Sequence, residues 1–489
     1  MAKVTAVIDI GSNSARMAVF KKTSRFGFYL LREEKSKVRI SEGAYENGGN
    51  LQDFAIERAI NALKEFLLIA KSLKTRKILC VATSAVRDAP NKAEFLKRVR
   101  EELNLNIKVI DGDKEAFFGG VAAANLLYEK NGVTIDIGGG STELALIRDK
   151  KIEKTISLKL GTVRLKELFF DKGDIEGAKK YIKNELDKLG DFFNSKKVFG
   201  IGGSIRALSQ AIMKKIDYPL DILHGFTYEI KEHKEFLEKI IKMDDEELLK
   251  AGIKPERLDV IRPGTLIFLE TLKYLGAKEV ITSGVGVREG VFLSDLLRND
   301  NFRFPDNFNP SVRTIMDVYQ IDKKIASYET KIALEVFDLL KESFGLDEKY
   351  KMHLTYAIKL SRAGELVDFY EAHKHTDYIL LNSLHYGFRH CDRLLISKII
   401  RFHKRKKIKK KEIEKFKCLL PKKDTIEKLC NIFWVAKLVN INLSMPEVEI
   451  SYDKDENKII ISGENLYLAQ ERAKTRELFF NLQVINRLT

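Results

Sequence analysis

The chain repeats itself, and that repetition limits its architecture more than any other feature. AVIDIGSNSARMAVF (residues 6–20) and VTIDIGGGSTELALI (residues 133–147) superpose at an offset of 127 residues. Between Ile8 and Phe20, six of thirteen positions are identical in the second copy: Ile8/Ile135, Asp9/Asp136, Ile10/Ile137, Gly11/Gly138, Ser14/Ser141 and Ala18/Ala145. Each copy is an apolar run closed by Asp, a Gly-rich turn and a second apolar run. That pattern predicts a β-hairpin whose turn exposes backbone N–H groups. Two such hairpins facing each other would make a phosphate clamp.

Around the hairpins, short apolar runs alternate with amphipathic segments up to about residue 300, which reads as an α/β architecture. With 489 residues, a prior of roughly 150 per domain gives about three domains, and 44% hydrophobic residues suffice for a core in each. After Asn309 the pattern turns helical, with expected helices over Ile325–Phe344, Leu354–His373, Asp392–His403 and Thr425–Leu443. From Met445 a hairpin followed by one helix is expected. The expected units are lobe I over 1–125, lobe II over 126–300, a mainly α region over 301–443 and a small α+β tail over 444–489.

Four cysteines (Cys80, Cys391, Cys418, Cys430) without a C-x-x-C pair argue against a zinc ribbon or a secreted disulfide framework. The start MAKVTAVIDIG lacks a signal-peptide pattern, and no apolar stretch reaches about 18 residues. A soluble cytoplasmic protein with no membrane partner is expected. Lys and Arg number 86 against 70 Asp and Glu, a net charge of +16 that favours polyanionic partners; nucleic acid is compatible but not preferred. Arg401–Lys417 holds ten basic and two acidic residues, so half of that excess sits in one run. It reads either as a solvated face or as a polyanion grip.

Hydrolysis of a phosphate chain needs donors around its oxygens, a cation and a base for water. Gly11, Ser12 and Asn13 in the first turn, and Gly138, Gly139, Gly140, Ser141 and Thr142 in the second, are candidates for the cradle. Asp9, Asp136 and Glu143 sit at these turns, as ligands for a hard cation such as Mg²⁺ or as caps of their own turns. KILCVATSAVRDAPN places Thr83, Ser84 and Arg87 at a strand end, where the Arg fork suits a phosphate or merely charges the surface. Glu115 falls in the first turn of a helix, where it offsets the helix dipole or serves chemistry. Two further strand-to-helix turns carry Gly202, Gly203, Ser204 and Arg206, and Ser283, Gly284, Gly286 and Arg288. No G-x-x-x-x-G-K-[ST] is present, which argues against a P-loop enzyme.

Taken together, DIGSNSAR, ATSAVRDAPN, DGDKEAFFGGV, TIDIGGGSTEL, SLKLGTVRL, GIGGSIRAL and SGVGVREG resemble the exopolyphosphatase and guanosine pentaphosphate phosphohydrolase (Ppx/GppA) family over residues 4 to about 297. The resemblance implies two ribonuclease-H-like lobes of the actin-like ATPase superfold with a cleft between them. It implies Glu115 as the base that activates water, with Asp136, Glu143 and Asp9 at Mg²⁺. Phosphate loops at Gly11–Asn13 and Gly139–Thr142 follow from it, with Ser84 and Arg87 beside them. Arg16 and Arg288 match arginines for the far phosphates of a guanosine tetra- or pentaphosphate, Gly202, Gly203 and Ser204 the substrate side, and Gly161 and Arg164 a substrate-side loop. A homodimer is implied as well.

The helical region is similar to the HD-like domain of longer family members, seen in HKHTDYILLN and IIRFHKR. Where a metal-dependent HD enzyme needs a His-Asp pair, this chain has Ser361 and Arg362, so a degenerate HD-like domain is expected, with His373, His375 and His403 left over. The reading is a Mg²⁺-dependent hydrolase of the terminal phosphate of inorganic polyphosphate, of pppGpp (giving ppGpp), or of both. Its alternatives are a non-catalytic alarmone or polyphosphate sensor and a phosphotransferase of the same superfold.

Overall fold

The first hairpin forms where the pattern puts it. Strand β1 (Val4–Ile10) pairs antiparallel with β2 (Ala15–Lys22), Asp9 opposite Arg16, and the turn closes by Gly11 N–H donating to the Ser14 carbonyl at 3.2 Å. β3 (Phe28–Ser36) follows on β2, helix α1 (Asp53–Ser72) crosses over, and β4 (Lys77–Ala82) and β5 (Ile107–Val109) add in parallel, giving the order β3-β2-β1-β4-β5. The computed structural model describes residues 4–44, 47–405 and 407–487. β1 is apolar along its length because it lies mid-sheet with both faces covered.

The second copy repeats the plan. β6 (Gly132–Ile137), β7 (Thr142–Arg148), β8 (Lys151–Leu158), β9 (Lys197–Ile201), β10 (Thr227–Glu229) and β11 (Glu279–Thr282) form a sheet in the order β10-β11-β9-β6-β7-β8. Read from β8 to β11, this is the first sheet again, with β10 added at the edge. Its hairpin turn closes in the same way, Gly138 N–H to the Ser141 carbonyl at 2.9 Å. Each lobe has its own core, one around Ile8, Met17 and Phe95, the other around Ile135, Phe193 and Phe268.

The lobes exchange helices. After α2 (Lys92–Leu103), helix α3 (Gly112–Leu126) ends the first copy in sequence but packs on the second sheet, Gly120 against Ala145 and Ile152, and Ala123 and Ala124 beside Ile147 and Phe199. Following α4 (Gly203–Lys215) and α5 (Leu258–Tyr274), helix α6 (Val287–Leu296) crosses in the opposite sense onto β1 and β2. There Phe292 stacks on Phe20 with ring centroids 4.4 Å apart. The small residues of FFGGVAAAN in α3 exist for this exchange. Where α3 meets α6, a Cβ at Gly290 would overlap the Phe118 carbonyl.

Residues 310–489 form a second compact unit. Helices α7 (Lys323–Phe344), α8 (Tyr350–Leu360), α9 (Ala372–Ser383), α10 (His390–Phe402) and α11 (Lys423–Val439) surround Phe337, Leu354, Ile399 and Phe433. The helix expected over 354–373 stops at Leu360 and restarts at Ala372. Between them the chain folds tightly enough that a Cβ on Gly364 would overlap the Ala372 carbonyl. The tail also departs from expectation. After the hairpin of β12 (Val448–Asp453) and β13 (Lys458–Gly463), the expected helix shortens to α12 (Tyr467–Ala473), and β14 (Asn481–Asn486) joins β13 in parallel. Phe480 and Val484 recur at even spacing and are buried, the period of a strand. Ile459, Ile461, Phe480 and Val484 belong to the same core as the helices.

Ser361 and Arg362 belong to a polar cluster. Glu329, 1% exposed, takes Arg362 at 2.7 Å, Lys437 at 2.8 Å and the Asn440 amide at 3.2 Å. Burial pushes His373 down to about 4 and His403 to about 3, so both rings are neutral at physiological pH. The basic run folds as a loop with two single 3-10 turns, anchored by buried Ile408 and Phe416, with Lys404, Lys407, Lys409, Lys410 and Lys411 exposed. Lys406 lies outside the described residues.

Gly290→Ala should push α6 off α3 and lower stability by about 1–3 kcal/mol, the usual cost of overpacking. Thermal denaturation checks this, and a melting temperature equal to that of the parent chain would contradict the tight crossing.

Candidate active site

The two turns meet tip to tip. A Cβ on Gly139 would stand 2.9 Å from the Ser12 Cβ, so the hairpins of the two lobes touch across one cleft. Asp9 and Asp136 both line that cavity, which has a volume of about 150 Å³. Gly11 and Gly138 N–H groups close the turns, and among the described residues the tip amides of Ser12, Asn13, Gly139 and Gly140 have no backbone partner. Residues 161–164 brace the second loop from behind: Thr162 N–H donates to Gly138 O at 3.0 Å, Val163 N–H to Gly139 O at 2.9 Å, and Arg164 Nε to Gly140 O at 2.9 Å. A Cβ on Gly161 would overlap the Gly139 carbonyl. Arg164 thus shapes the loop by donating to its carbonyls, and Gly161 by leaving room for them.

Four carboxylates converge here. Asp9 is the penultimate residue of β1 and Asp136 of β6; Glu143 sits opposite Asp136 on β7, and Glu115 in the first turn of α3, whose N-cap Asp111 accepts from Lys114 N–H. Burial raises all four, and mutual repulsion adds to it. Asp136 is raised to about 6 and Glu143 to about 7, the latter despite hydrogen bonds from Ser141 and Ser157 that favour its charged form. Glu115 is raised well above the usual carboxylate range by burial and by Glu143 and Asp9. Asp9 Oδ1 is buried and has no hydrogen-bond partner among the described residues. Gly202, at φ +90°, lets the chain pass Asp136 where a Cβ would stand 2.9 Å from Oδ1.

Most of the residues singled out in the sequence reach this cleft: Asp9, Gly11, Ser12, Asn13, Arg16, Ser84, Glu115, Asp136, Gly139, Ser141, Glu143, Gly202, Gly203, Ser204 and Arg288. Others are placed otherwise. Arg87, expected on phosphate, donates to Glu115 Oε2 at 3.2 Å and to the Ile110 carbonyl at 3.4 Å, so it holds Glu115. Thr142 is fully buried with its hydroxyl on the Leu160 carbonyl at 2.5 Å. Gly140 turns its carbonyl outward to Arg164. Within the substrate side, Arg288 is already paired with Glu33 at 2.6 Å, and Arg206 braces the Ser283 and Val285 carbonyls. Sequence reading missed Ser157, Lys35 and Arg257. Ser157 was detectable only through its register opposite Glu143.

This cleft and its two-lobed frame have known counterparts. A model of the Ppx/GppA phosphatase family matches residues 18–299, and one of Ppx/GppA phosphatase domain III matches residues 309–479. The chain belongs to the Ppx/GppA phosphatase family. It is 26% identical to a guanosine-5'-triphosphate,3'-diphosphate pyrophosphatase of Aeromonas hydrophila, over 98% of this chain and 96% of that one. A bifunctional 3-dehydroquinate synthase/phosphatase of Fusobacterium nucleatum is 33% identical over 57% of this chain, which spans only 44% of that longer protein. The crystal structure of the Aquifex aeolicus Ppx/GppA family member superposes with a TM-score of 0.53 at 30% identity, covering 61% of this chain and 99% of that one. An exopolyphosphatase from Cytophaga hutchinsonii superposes at 0.56 with 22% identity, over 60% and 98% of the two chains, and bears on the fold alone. The two-lobed Ppx/GppA fold followed by domain III is thereby established.

The raised carboxylates give a signed prediction for the metal-free protein. Asp136 goes from 3.8 to about 6 and Glu143 from 4.5 to about 7 on folding, so the folded state holds protons more tightly. Their stability contribution is complete below about pH 4 and is lost as pH rises towards 7. The melting temperature in chelator should therefore fall across that window, and the Asp136→Asn/Glu143→Gln pair should flatten the decline. An equal slope in both proteins would contradict the assignment.

Proposed function

We propose that the chain is a Mg²⁺-dependent phosphoanhydride hydrolase that releases the terminal phosphate of inorganic polyphosphate, of pppGpp, or of both. The observation that carries this reading is the meeting of two amide-tipped hairpins over a cluster of buried carboxylates, one of which, Glu115, is gripped by Arg87. The names of the full-length relatives support the substrate class.

The tip amides suit anionic oxygens, since they are fixed before the ligand arrives and need no reorganisation. Glu115, raised by its surroundings, suits a general base, because a carboxylate brought nearer to working pH accepts a proton with more driving force. Arg87 fixes the carboxylate's direction. It also keeps a charge beside Glu115 once the water's proton has been taken.

The donor set fits a hard divalent cation: Asp9 has an unpartnered buried oxygen, and Asp136 and Glu143 stand in the same cleft. Among the described residues no three His, Cys, Asp or Glu side chains cage an ion unaided. That agrees with Mg²⁺ chemistry, in which one or two carboxylates are joined by water and phosphate oxygens. When bound, the ion would neutralise phosphate charge. One or two of Asp9, Asp136 and Glu143 would hold it.

Glu115→Gln should keep substrate affinity and lose turnover by about 10²-fold or more, the scale of removing a general base. Phosphate release under saturating substrate tests it, and unchanged turnover would take Glu115 out of that role. Asp136→Ala and Glu143→Ala should each raise the Mg²⁺ concentration needed for half-maximal rate. We further propose that the exposed lysine run grips long polyphosphate. Replacing Lys407, Lys409, Lys410 and Lys411 with Gln should then weaken long-chain binding more than pppGpp binding and reduce its salt dependence; equal effects on the two would refute this role.

A further inference from the structure

The second unit carries an apolar projection that its own core leaves uncovered. Between α8 and α9 the chain runs Leu366, Val367, Asp368, Phe369, Tyr370, and Tyr378 follows on α9. The five large apolar side chains of this segment are 59–81% exposed, and Tyr370, Phe369 and Tyr378 are the three most exposed of their kind among the described residues. Isolated exposed hydrophobics need no explanation, but a cluster of them marks an interaction site.

The loop that bears them is fixed in place. Val367 and Asp368 N–H groups donate to the Gly364 carbonyl at 3.0 and 3.1 Å, Tyr370 N–H donates to Asp368 Oδ1 at 2.9 Å, and the Lys404 ammonium donates to the Tyr370 carbonyl at 3.2 Å. The side chains are therefore presented on ordered backbone, which lowers the entropy cost of any contact they make. The acids nearby are occupied: Glu365 pairs with Arg362 at 3.1 Å, Glu371 pairs with Lys374, and Asp368 caps its own turn.

Charge identifies the occupant. Lys404 belongs to the basic run, and Arg401, Lys404 and Lys374 all act on the His373 ring at the start of α9, which sets this end of the run beside the apolar loop. Arg405 is taken by Glu412, whereas Lys404, Lys407, Lys409, Lys410 and Lys411 are exposed and in no ion pair among the described residues. Apolar and aromatic side chains next to unpaired lysines suit the boundary of an anionic bilayer, where the rings sit at headgroup depth and each lysine adds attraction. Two such signals together hold a protein on a surface that neither would hold alone. A second copy meeting this same face would set two lysine runs against each other. Single-stranded nucleic acid would use the rings and lysines but gains nothing from Leu366 and Val367.

We propose that Leu366, Val367, Phe369, Tyr370 and Tyr378, with the lysines from Lys404 to Lys411, form a peripheral docking surface for an anionic lipid bilayer. This departs from the sequence expectation of no membrane partner. Among the described residues no helix is long and apolar enough to cross a membrane, and a surface contact needs none. The lysines are those proposed to grip long polyphosphate; the apolar loop is the part that a bilayer uses and a soluble polyanion does not.

The full chain, sedimented with vesicles of equal parts phosphatidylcholine and phosphatidylglycerol, should bind them, bind phosphatidylcholine vesicles far less, and be released by salt. The triple variant Leu366→Ser/Phe369→Ser/Tyr370→Ser should bind the anionic vesicles about tenfold or more less tightly, as expected for apolar side chains withdrawn from lipid, while keeping the parent's melting temperature and polyphosphate binding. Phe369→Trp tests the same contact without removing it: its emission should shift to the blue on anionic vesicles, beyond any change of the parent's single Trp434. No binding by the parent, equal binding by the serine variant, or no added shift in Phe369→Trp overturns the proposal. So does a serine variant that loses polyphosphate along with vesicles, which would assign the loop to the polyanion. A parent that ignores vesicles but binds oligouridylate through this loop, or dimerises through it, overturns the proposal in favour of those partners.

Discussion

Four carboxylates held out of water within one crevice are the constraint to which the rest of the first unit answers. Left alone, Asp9, Glu115, Asp136 and Glu143 repel one another in a medium that cannot screen them, and each is driven towards its neutral form. The fold counters with Arg87 on Glu115 and Ser157 on Glu143. It leaves one oxygen of Asp9 unanswered. Such a site is stable enough to form yet remains strongly receptive to positive charge. The glycines around it follow from the same demand, because the chain must pass close to Asp136 at Gly202 and close to Gly139 at Gly161.

Duplication supplied two equal arms, and one substitution made them complementary. In the superposed hairpins Arg16 and Glu143 occupy the same position, each directly across from the Asp that closes the preceding strand. The third strand continues the contrast, with Lys35 beside Arg16 and Ser157 beside Glu143. Lobe I therefore faces the cleft with cations next to its Asp, while lobe II faces it with a second carboxylate. One arm suits phosphate oxygens and the other a cation, although their backbones are the same. A shared ancestor explains the geometry; divergence at the position shared by Arg16 and Glu143 explains the division of labour.

What could be read from the sequence was local. The hairpins, the Asp at each strand end and Glu115 in the first turn of its helix are encoded within a dozen residues, and they lie where the pattern puts them. Arg87 was legible as a site residue but not in its partner, because its contact with Glu115 joins segments 28 residues apart. Thr142 was drawn into the phosphate loop by its neighbours in sequence, whereas strand alternation turns its hydroxyl to the Leu160 carbonyl. The break after Leu360 carries no proline and is set by contacts of Gly364 with α9, which no window across 354–373 reveals. β14 was hidden for another reason: Leu478, Phe480, Leu482 and Val484 alternate as a strand requires, but no Gly or Pro separates them from the helical segment before them, so the helix was read on through them. Arg257 lies against Gly203 although the two are far apart in sequence.

The exchange of α3 and α6 between the lobes has a mechanical meaning. Each lobe is roofed by a helix belonging to the other half of the chain, and the two helices cross with backbone nearly in contact at Gly290 and Phe118. Opening the cleft cannot separate the halves outright, since that would strip Ala123 and Ala124 from one sheet and Phe292 from the other. The remaining freedom is a rotation about the crossing, as scissor blades turn on a rivet. On such a linkage the rivet stays still while the blade tips travel, and the tips are Ser12 and Gly139.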